Sequence, residues 1–392
     1  MTPAAVSRLG FILLLAGTIL GIAGTDLVLP AVPGLPDVLG GTPARAQLVL
    51  AAFTAGGAIG LLLFGELGAR LDQRRLLVAS MAGYALASAT AGFASSLDML
   101  IGLRFVQGVA GAAAAVFAPG MIRLMLGPDR SVRALGLLGS IESLTPALAP
   151  IAGAWLFTAF GWRASFDALA AGAAAVAAAL VLFGGSLPDA RSTRPKGGYA
   201  VLLADPVFLR YALSHAATLG GLLTFVFGAP AVLTGPLGGT LGDFVRMQVT
   251  GIVFFIAAAN LASRLALSFG AEPMIMAGSA LSAAGAAGIL VYALAGGVDP
   301  LVITALFVPV NLGLGLRGPP GFFRAVLASH GDDARGAALV ILAILLAAAG
   351  GTAIAAPFIT LGLVPLALVA AAISAVSVLL LLVMPRLALP AA

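Results

Sequence analysis

A single carboxylate, Asp26, closes a long apolar stretch near the start of the chain and suggests proton chemistry. Residues 9 to 29 carry no other charge, and about 20 apolar helical residues cross the ~30 Å hydrocarbon core of a bilayer. An ionised group there is costly, so it must face protein or a water-filled cavity. We interpret Asp26 as a site for a proton or a cationic substrate; the alternative is an interfacial carboxylate at a helix end.

Arg104 and Glu142 also fall within apolar stretches. An arginine keeps its charge, so Arg104 needs an internal partner, which could be backbone carbonyls, Asp26 or Glu142. Its role is either structural, tying spans together, or direct in a proton relay. Glu142 lies four residues before Pro146, near mid-membrane, and is either a second protonatable group or a buried, hydrogen-bonded glutamate.

Arg317 is a further intramembrane cation, and Gly318-Pro319-Pro320 follows it directly. We expect these prolines to break helical hydrogen bonding and expose carbonyls to a cavity. Arg317 then binds an anion or acts in gating; alternatively, it snorkels to the cytoplasmic surface. The residues expected to line a substrate cavity are Gln107, Asn311, Arg317 and Phe227. Phenylalanines facing lipid are the alternative for the aromatic residue.

The composition identifies the elements that must position these groups. Of the 392 residues, 61% are hydrophobic and 9% are charged, whereas soluble domains carry about 25% charged residues. Twelve apolar runs predict an all-α membrane protein of twelve transmembrane helices. They cover residues 9–30, 46–68, 76–96, 98–126, 133–157, 164–185, 207–234, 244–267, 273–296, 300–328, 336–359 and 362–384.

The distribution of basic residues predicts the orientation. With the N-terminus inside, only Arg45, Arg163 and Arg246 of the 20 Lys and Arg residues fall in outer loops, and basic loops stay cytoplasmic. We expect a multi-pass protein of the inner (cytoplasmic) membrane with both termini in the cytoplasm. The net charge of +5 reflects this topology and predicts no nucleic-acid partner.

Few residues suit metal or redox chemistry. The chain has no cysteine, which excludes thiolate sites and disulfides. His215 has no histidine or carboxylate at helical spacing, so a buried core histidine is favoured over a metal ligand. We expect no metal site and no cofactor other than the proton as coupling ion.

Residues 186–206 are polar, contain proline and glycine, and predict a cytoplasmic linker between six-helix bundles at 1–185 and 207–392. A duplication supports this division, because Pro119-Gly120 precedes Arg123 as Pro320-Gly321 precedes Arg324. Pseudo-symmetric bundles would place both arginines on the inner rim. There they would act as a gate with loop carboxylates, or merely satisfy the positive-inside rule. The loop carboxylates are Asp129, Asp332 and Asp333.

Several motifs resemble those of the major facilitator superfamily. Residues 65–75, from Gly65 to Arg75, resemble its loop signature G-x-L-x-D-R-x-G-R-R, although Ala69 and Asp72 depart from it. The run from Asp26 to Pro33 is similar to span one of twelve-span drug:proton antiporters of the bicyclomycin-resistance type. Two further motifs resemble spans four and five of that group: Arg104-x-x-Gln107-Gly108 and Ala149-Pro150-x-x-Gly153.

The resemblance implies proton-coupled efflux of small amphipathic compounds by alternating access, with no enzymatic activity. Asp26 and Arg104 would couple proton and substrate. The conformational gate would comprise Gly65, Arg70, Asp72, Arg74, Pro150 and Gly153. The internal repeat, rather than the resemblance, adds Arg123 and Arg324 to this gate. A carrier of a small metabolite or anion is the alternative, and a metal transporter is a weaker one. The expected partners are a small-molecule substrate and the lipid bilayer, and we expect a monomer.

Overall fold

A computed structural model describes residues 3–188, 199–329 and 333–387 of the chain. The described residues form helices and contain no strand, so the protein is the all-α membrane protein that its composition predicts. The α-helices of the first part are α1 (Pro3–Asp26), α2 (Leu35–Leu39), α3 (Pro43–Arg70), α4 (Gln73–Gly92), α5 (Leu97–Gly111), α6 (Ala113–Phe160) and α7 (Arg163–Phe183). Those of the second part are α8 (Tyr199–Ala204), α9 (Pro206–Thr234), α10 (Leu241–Phe269), α11 (Ala271–Leu294), α12 (Pro300–Leu327), α13 (Asp333–Ala355) and α14 (Leu363–Val383).

Ten segments of the described chain are long and apolar enough to cross a membrane, against the twelve expected. The remaining two expected spans are helical. Helix α4 covers the third but is not among the ten, because arginines and polar residues lower its hydropathy. The fifth lies in α6, where only Leu148–Phe160 forms an apolar stretch, shorter than a full span.

Helix α6 differs from the sequence expectation, which places a loop at residues 127–133. The backbone is helical throughout its 48 residues. Its contacts with α1 nevertheless show that the chain reverses direction. Ala114 lies beside Gly17 and Met125 beside Gly10, so this part runs antiparallel to α1, whereas Gly153 lies beside Leu27 at the other end of α1. The chain therefore runs back along α1 without leaving the helical conformation.

Helix α12 is continuous where the sequence predicts a break after Arg317. It runs from Pro300 to Leu327 with Pro309, Pro319 and Pro320 inside it. Each proline removes one backbone donor, but the surrounding turns keep the helix continuous. The expected break after Arg317 is therefore wrong.

The helices separate into two compact units, Met1–Arg194 and Pro195–Ala392. In the first unit the main packed pairs are α1 with α6, α3 with α5 and α4 with α7. The second unit contains the equivalent pairs, α9 with α13, α10 with α12 and α11 with α14, and it also packs α11 closely against α12 and α14 closely against α9. The two units thus share three helix pairings, and the second unit adds extensive contacts of its own.

Close approach of the paired helices depends on glycine. At Gly108 of α5 an added Cβ would lie 2.9 Å from the backbone nitrogen of Gly57 on α3. In the second unit, a Cβ at Gly278 of α11 would lie 2.5 Å from the carbonyl oxygen of Gly313 on α12. Only glycine allows backbones to pack this closely, as is common in membrane bundles.

Candidate functional site

Asp26 is the last residue of α1, and its side chain is only 5% exposed. The chain then turns into a short 3-10 helix, Leu29–Gly34. The carbonyl of the next residue, Leu27, accepts a hydrogen bond from Ser165 Oγ at 2.9 Å. Gly153 of α6 packs against the same peptide, since an added Cβ would lie 2.9 Å from the Leu27 carbonyl carbon. Helices α6 and α7 thus fix the backbone beside Asp26.

Arg104 of α5 is fully buried and held by neutral oxygen atoms. Its Nε donates to the Val49 carbonyl at 3.2 Å, and its Nη1 donates to the Gly24 carbonyl at 2.8 Å and to Gln107 Oε1 at 2.7 Å. The guanidinium also lies over the Phe53 ring, 4.1 Å from its centroid, where an aromatic face stabilises a cation. Backbone carbonyls, one of the partners considered from sequence, are thus observed, whereas the side chain of Glu142 lies outside the described part of the structure.

Gln107 extends this site into a chain of buried hydrogen bonds. Its Nε2 donates to Ser88 Oγ at 2.6 Å, and Ser88 Oγ donates to the Tyr84 carbonyl at 2.7 Å. The Tyr84 hydroxyl donates to the Leu20 carbonyl of α1 at 2.9 Å. The network therefore joins α1, α4 and α5 around Arg104.

Asp26 and Arg104 interact electrostatically, but no ion pair within 4 Å joins them in the part of the chain that is described. Arg104 Nη2 is buried and has no hydrogen-bond partner there. Because neutral groups hold the guanidinium, Asp26 can gain or lose a proton without breaking a salt bridge.

The three residues of the second unit that were expected to line a substrate cavity are all buried. Asn311 Nδ2 donates to the Phe307 carbonyl at 3.0 Å, and Phe227 is 2% exposed. Arg317 is fully buried, with Nη1 donating to the Ser214 carbonyl and, at 2.7 Å, to Thr218 Oγ1. The snorkelling alternative for Arg317 is therefore wrong.

Sequence comparison establishes the family. A profile described as Major Facilitator Superfamily matches residues 14–356. This chain belongs to the major facilitator superfamily. Members of this superfamily are multi-pass membrane transporters, and the ten membrane-length helices of the described chain fit that architecture.

Relatives within the superfamily carry resistance names. The chain is 32% identical over 273 residues to a chloramphenicol resistance protein of Pseudomonas aeruginosa, covering 68% of this chain and 64% of the relative. It is 27% identical over 261 residues to a bicyclomycin resistance protein homolog of Haemophilus influenzae, covering 64% and 65%. It is 25% identical over 245 residues to the multidrug resistance protein MdtL of a Shewanella species, covering 60% of each. The matches span less than two thirds of these relatives' lengths.

The superfamily loop signature lies between α3 and α4. Glu66 and Arg70 form an exposed ion pair at 2.5 Å. Asp72, which departs from the signature, accepts from the Arg74 backbone N–H at 2.8 Å and caps α4. Arg74 Nη2 donates to the Leu187 carbonyl, which ties the loop to the end of the first unit.

The structure describes only some of the other residues that were expected to form the conformational gate. Gly65 is half-buried and Pro150 is buried. Arg324 lies half-buried in the last turn of α12. The remaining side chains proposed from sequence, those of Glu142, Arg123, Asp129, Asp332 and Asp333, lie outside the described part of the structure.

Sequence reasoning missed a polar cluster in the second unit. Buried Arg210 donates to Glu272 Oε2 at 3.1 Å and to the Met384 carbonyl at 2.7 Å, and Tyr211 OH donates to Glu272 Oε1. These groups connect α9, α11 and the end of α14. The sequence gives no sign of this cluster, because the partners of Arg210 are distant from it in the chain.

Proposed function

We propose that this protein exports small amphipathic compounds across the inner membrane in exchange for protons, with Asp26 as the proton-binding group. The supporting observation is the buried Asp26 carboxyl beside an arginine that neutral groups hold. Binding of a proton would change the charge of the site. A ligand that prefers one conformation then shifts the alternating-access equilibrium.

The names of the relatives suggest the first substrates to test, which are chloramphenicol and bicyclomycin. The proposal places both termini in the cytoplasm, since most arginines fall in the loops assigned to that side. It also treats the transporter as a monomer, because each unit contains a full set of packed helix pairs.

The test is substrate-dependent proton movement in proteoliposomes containing the purified protein and a pH-sensitive dye. We expect substrate addition to dissipate an imposed proton gradient with wild-type protein. Asp26→Asn should abolish this signal and leave the yield of folded protein unchanged, because it removes the titratable group and keeps its shape.

Asp37→Asn is the matched control, since Asp37 is exposed and lies soon after Asp26. It should transport as wild type. Proton-coupled transport by Asp26→Asn with an unchanged pH profile would exclude Asp26 as the coupling group. Substrate flux without proton movement in the wild type would instead indicate a facilitative carrier.

A further inference from the structure

Arg317 is a buried cation whose observed hydrogen-bond partners are all neutral. Its Nη1 donates to the Ser214 carbonyl and to Thr218 Oγ1, and its Nη2 donates to Ser214 Oγ at 3.2 Å. Among the described side chains of the second unit, no carboxylate lies within 4 Å of it. Removing such a charge from water costs several kcal/mol unless an opposite charge compensates it.

One edge of the guanidinium remains available. Arg317 Nε is buried without a partner, and Nη2 can donate a second hydrogen bond. The Nε–H and one Nη2–H point in the same direction and form the fork with which arginine binds anions. The edge formed by Nε and Nη2 therefore has hydrogen-bonding capacity that Ser214 and Thr218 do not use.

His215 of α9 adds a second polar group at the same place. It is 7% exposed, and its Nδ1 has no partner among the described residues. At Gly321 of α12, an added Cβ would lie 3.2 Å from Arg317 Nη2, 3.4 Å from His215 Nδ1 and 3.5 Å from Arg317 Nε, and these are its nearest heavy atoms beyond the adjoining residues and backbone of the same helix. Nitrogen atoms from two helices therefore converge where Gly321 lacks a side chain.

We propose that Arg317 and His215 bind a small monovalent anion, of the size of chloride, beside Gly321 inside the second unit. The arginine fork donates two hydrogen bonds, and the histidine tautomer protonated on Nδ1 donates a third. One negative charge neutralises Arg317, whereas a divalent anion would leave a net buried charge. The anion is a resident ligand, and its binding does not depend on proton coupling at Asp26.

Direct binding of radioactive chloride to purified protein in detergent is the first measurement. The reference buffer replaces chloride with isethionate, a larger sulfonate, at constant ionic strength. We expect saturable binding that approaches one chloride per chain. Absence of saturable binding to monodisperse protein would overturn the proposal, since a water molecule in the site would give this result.

Thermal unfolding followed by far-UV circular dichroism is the second measurement. Both tryptophans, Trp155 and Trp162, lie in the first unit, so their fluorescence does not report on this site. A ligand that binds only the folded state raises the midpoint as its concentration increases. We expect chloride to raise the midpoint, and isethionate and sulfate to have little effect at equal ionic strength.

Gly321→Ala tests the location, because its methyl group would cover the free edge of Arg317 with little added volume. We expect at least a tenfold weaker chloride affinity in this variant. Gly120→Ala is the matched control, since Gly120 follows the equivalent proline in the first unit and an added Cβ there meets nothing within 4 Å. Equal chloride binding by wild type, Gly321→Ala and Gly120→Ala would overturn the assignment.

Discussion

At the scale of single residues, the site of Arg104 requires both the positive charge and the shape of its side chain. Its guanidinium reaches Val49, Gly24 and Gln107 at the same time and stacks on Phe53. The lysine side chain is shorter than that of arginine, and its ammonium group lacks the planar fork of a guanidinium. Lysine and arginine are therefore not equivalent at such a site. The position therefore needs the shape of arginine as well as its charge.

We predict that Arg104→Lys lowers the free energy of unfolding by about 2–4 kcal/mol, because one or two hydrogen bonds to a charged group are lost. The thermal midpoint in detergent checks this. Arg45→Lys is the control, since Arg45 is exposed and its ion pair with Asp98 lies on the surface, where such pairs contribute about 0–1 kcal/mol. Equal midpoints for the two variants would contradict the importance of the buried bonds.

The prediction for Glu142 rests only on its depth in the membrane, which is inferred from the sequence. We expect Glu142→Gln to reduce proton-coupled transport partially and to shift its pH optimum, because a second protonatable group would be removed. Proteoliposome flux measured across a pH series checks this. A transport profile identical to that of the wild type would exclude a coupling role for Glu142.

At the scale of the elements, the approach of α6 to α1 determines the backbone next to Asp26. Gly153 packs on the Leu27 peptide, and Ser165 of α7 bonds to the same carbonyl. The antiporter-like motif thus needs glycine at position 153 for a steric reason, because any side chain there would displace the segment that carries Asp26.

We predict that Gly153→Ala destabilises the protein by about 1–3 kcal/mol, the usual range for overpacking, and lowers the transport rate. Unfolding midpoints and flux in proteoliposomes are the measurements. Gly102→Ala on α5 is the control, since nothing lies within 4 Å of an added Cβ at Gly102. It should be neutral or stabilising, because alanine favours a helix over glycine. A Gly153→Ala variant with both values unchanged would contradict the steric account.

At the scale of the whole molecule, each unit is held together by its own set of packed helix pairs. We predict that cutting the chain between residues 188 and 199, at an inserted protease site, leaves both units folded in the membrane. Far-UV circular dichroism and resistance to further digestion check this, with uncut protein as the control. Loss of helix content after the single cut would show that the units depend on chain continuity.

The sequence alone determined the fold class and the family, and it predicted that the charges of Asp26 and Arg104 face protein, as their burial confirms. These follow from local features: apolar runs long enough for a bilayer, and charges within them that must face protein. The span count was less certain, because the hydropathy of α4 and of the second part of α6 falls short of a clear membrane helix.

Only the tertiary structure decided the partners of the buried charges. Arg104 could have bonded to carbonyls or carboxylates, and its choice depends on backbone atoms of α1 and α3 that the sequence does not place. The contacts of Arg317 with Ser214 and Thr218, and those of Arg210 with Glu272, likewise join helices distant in sequence. The physical reason is that hydropathy places a residue at a depth in the membrane, whereas helix packing determines what it meets there.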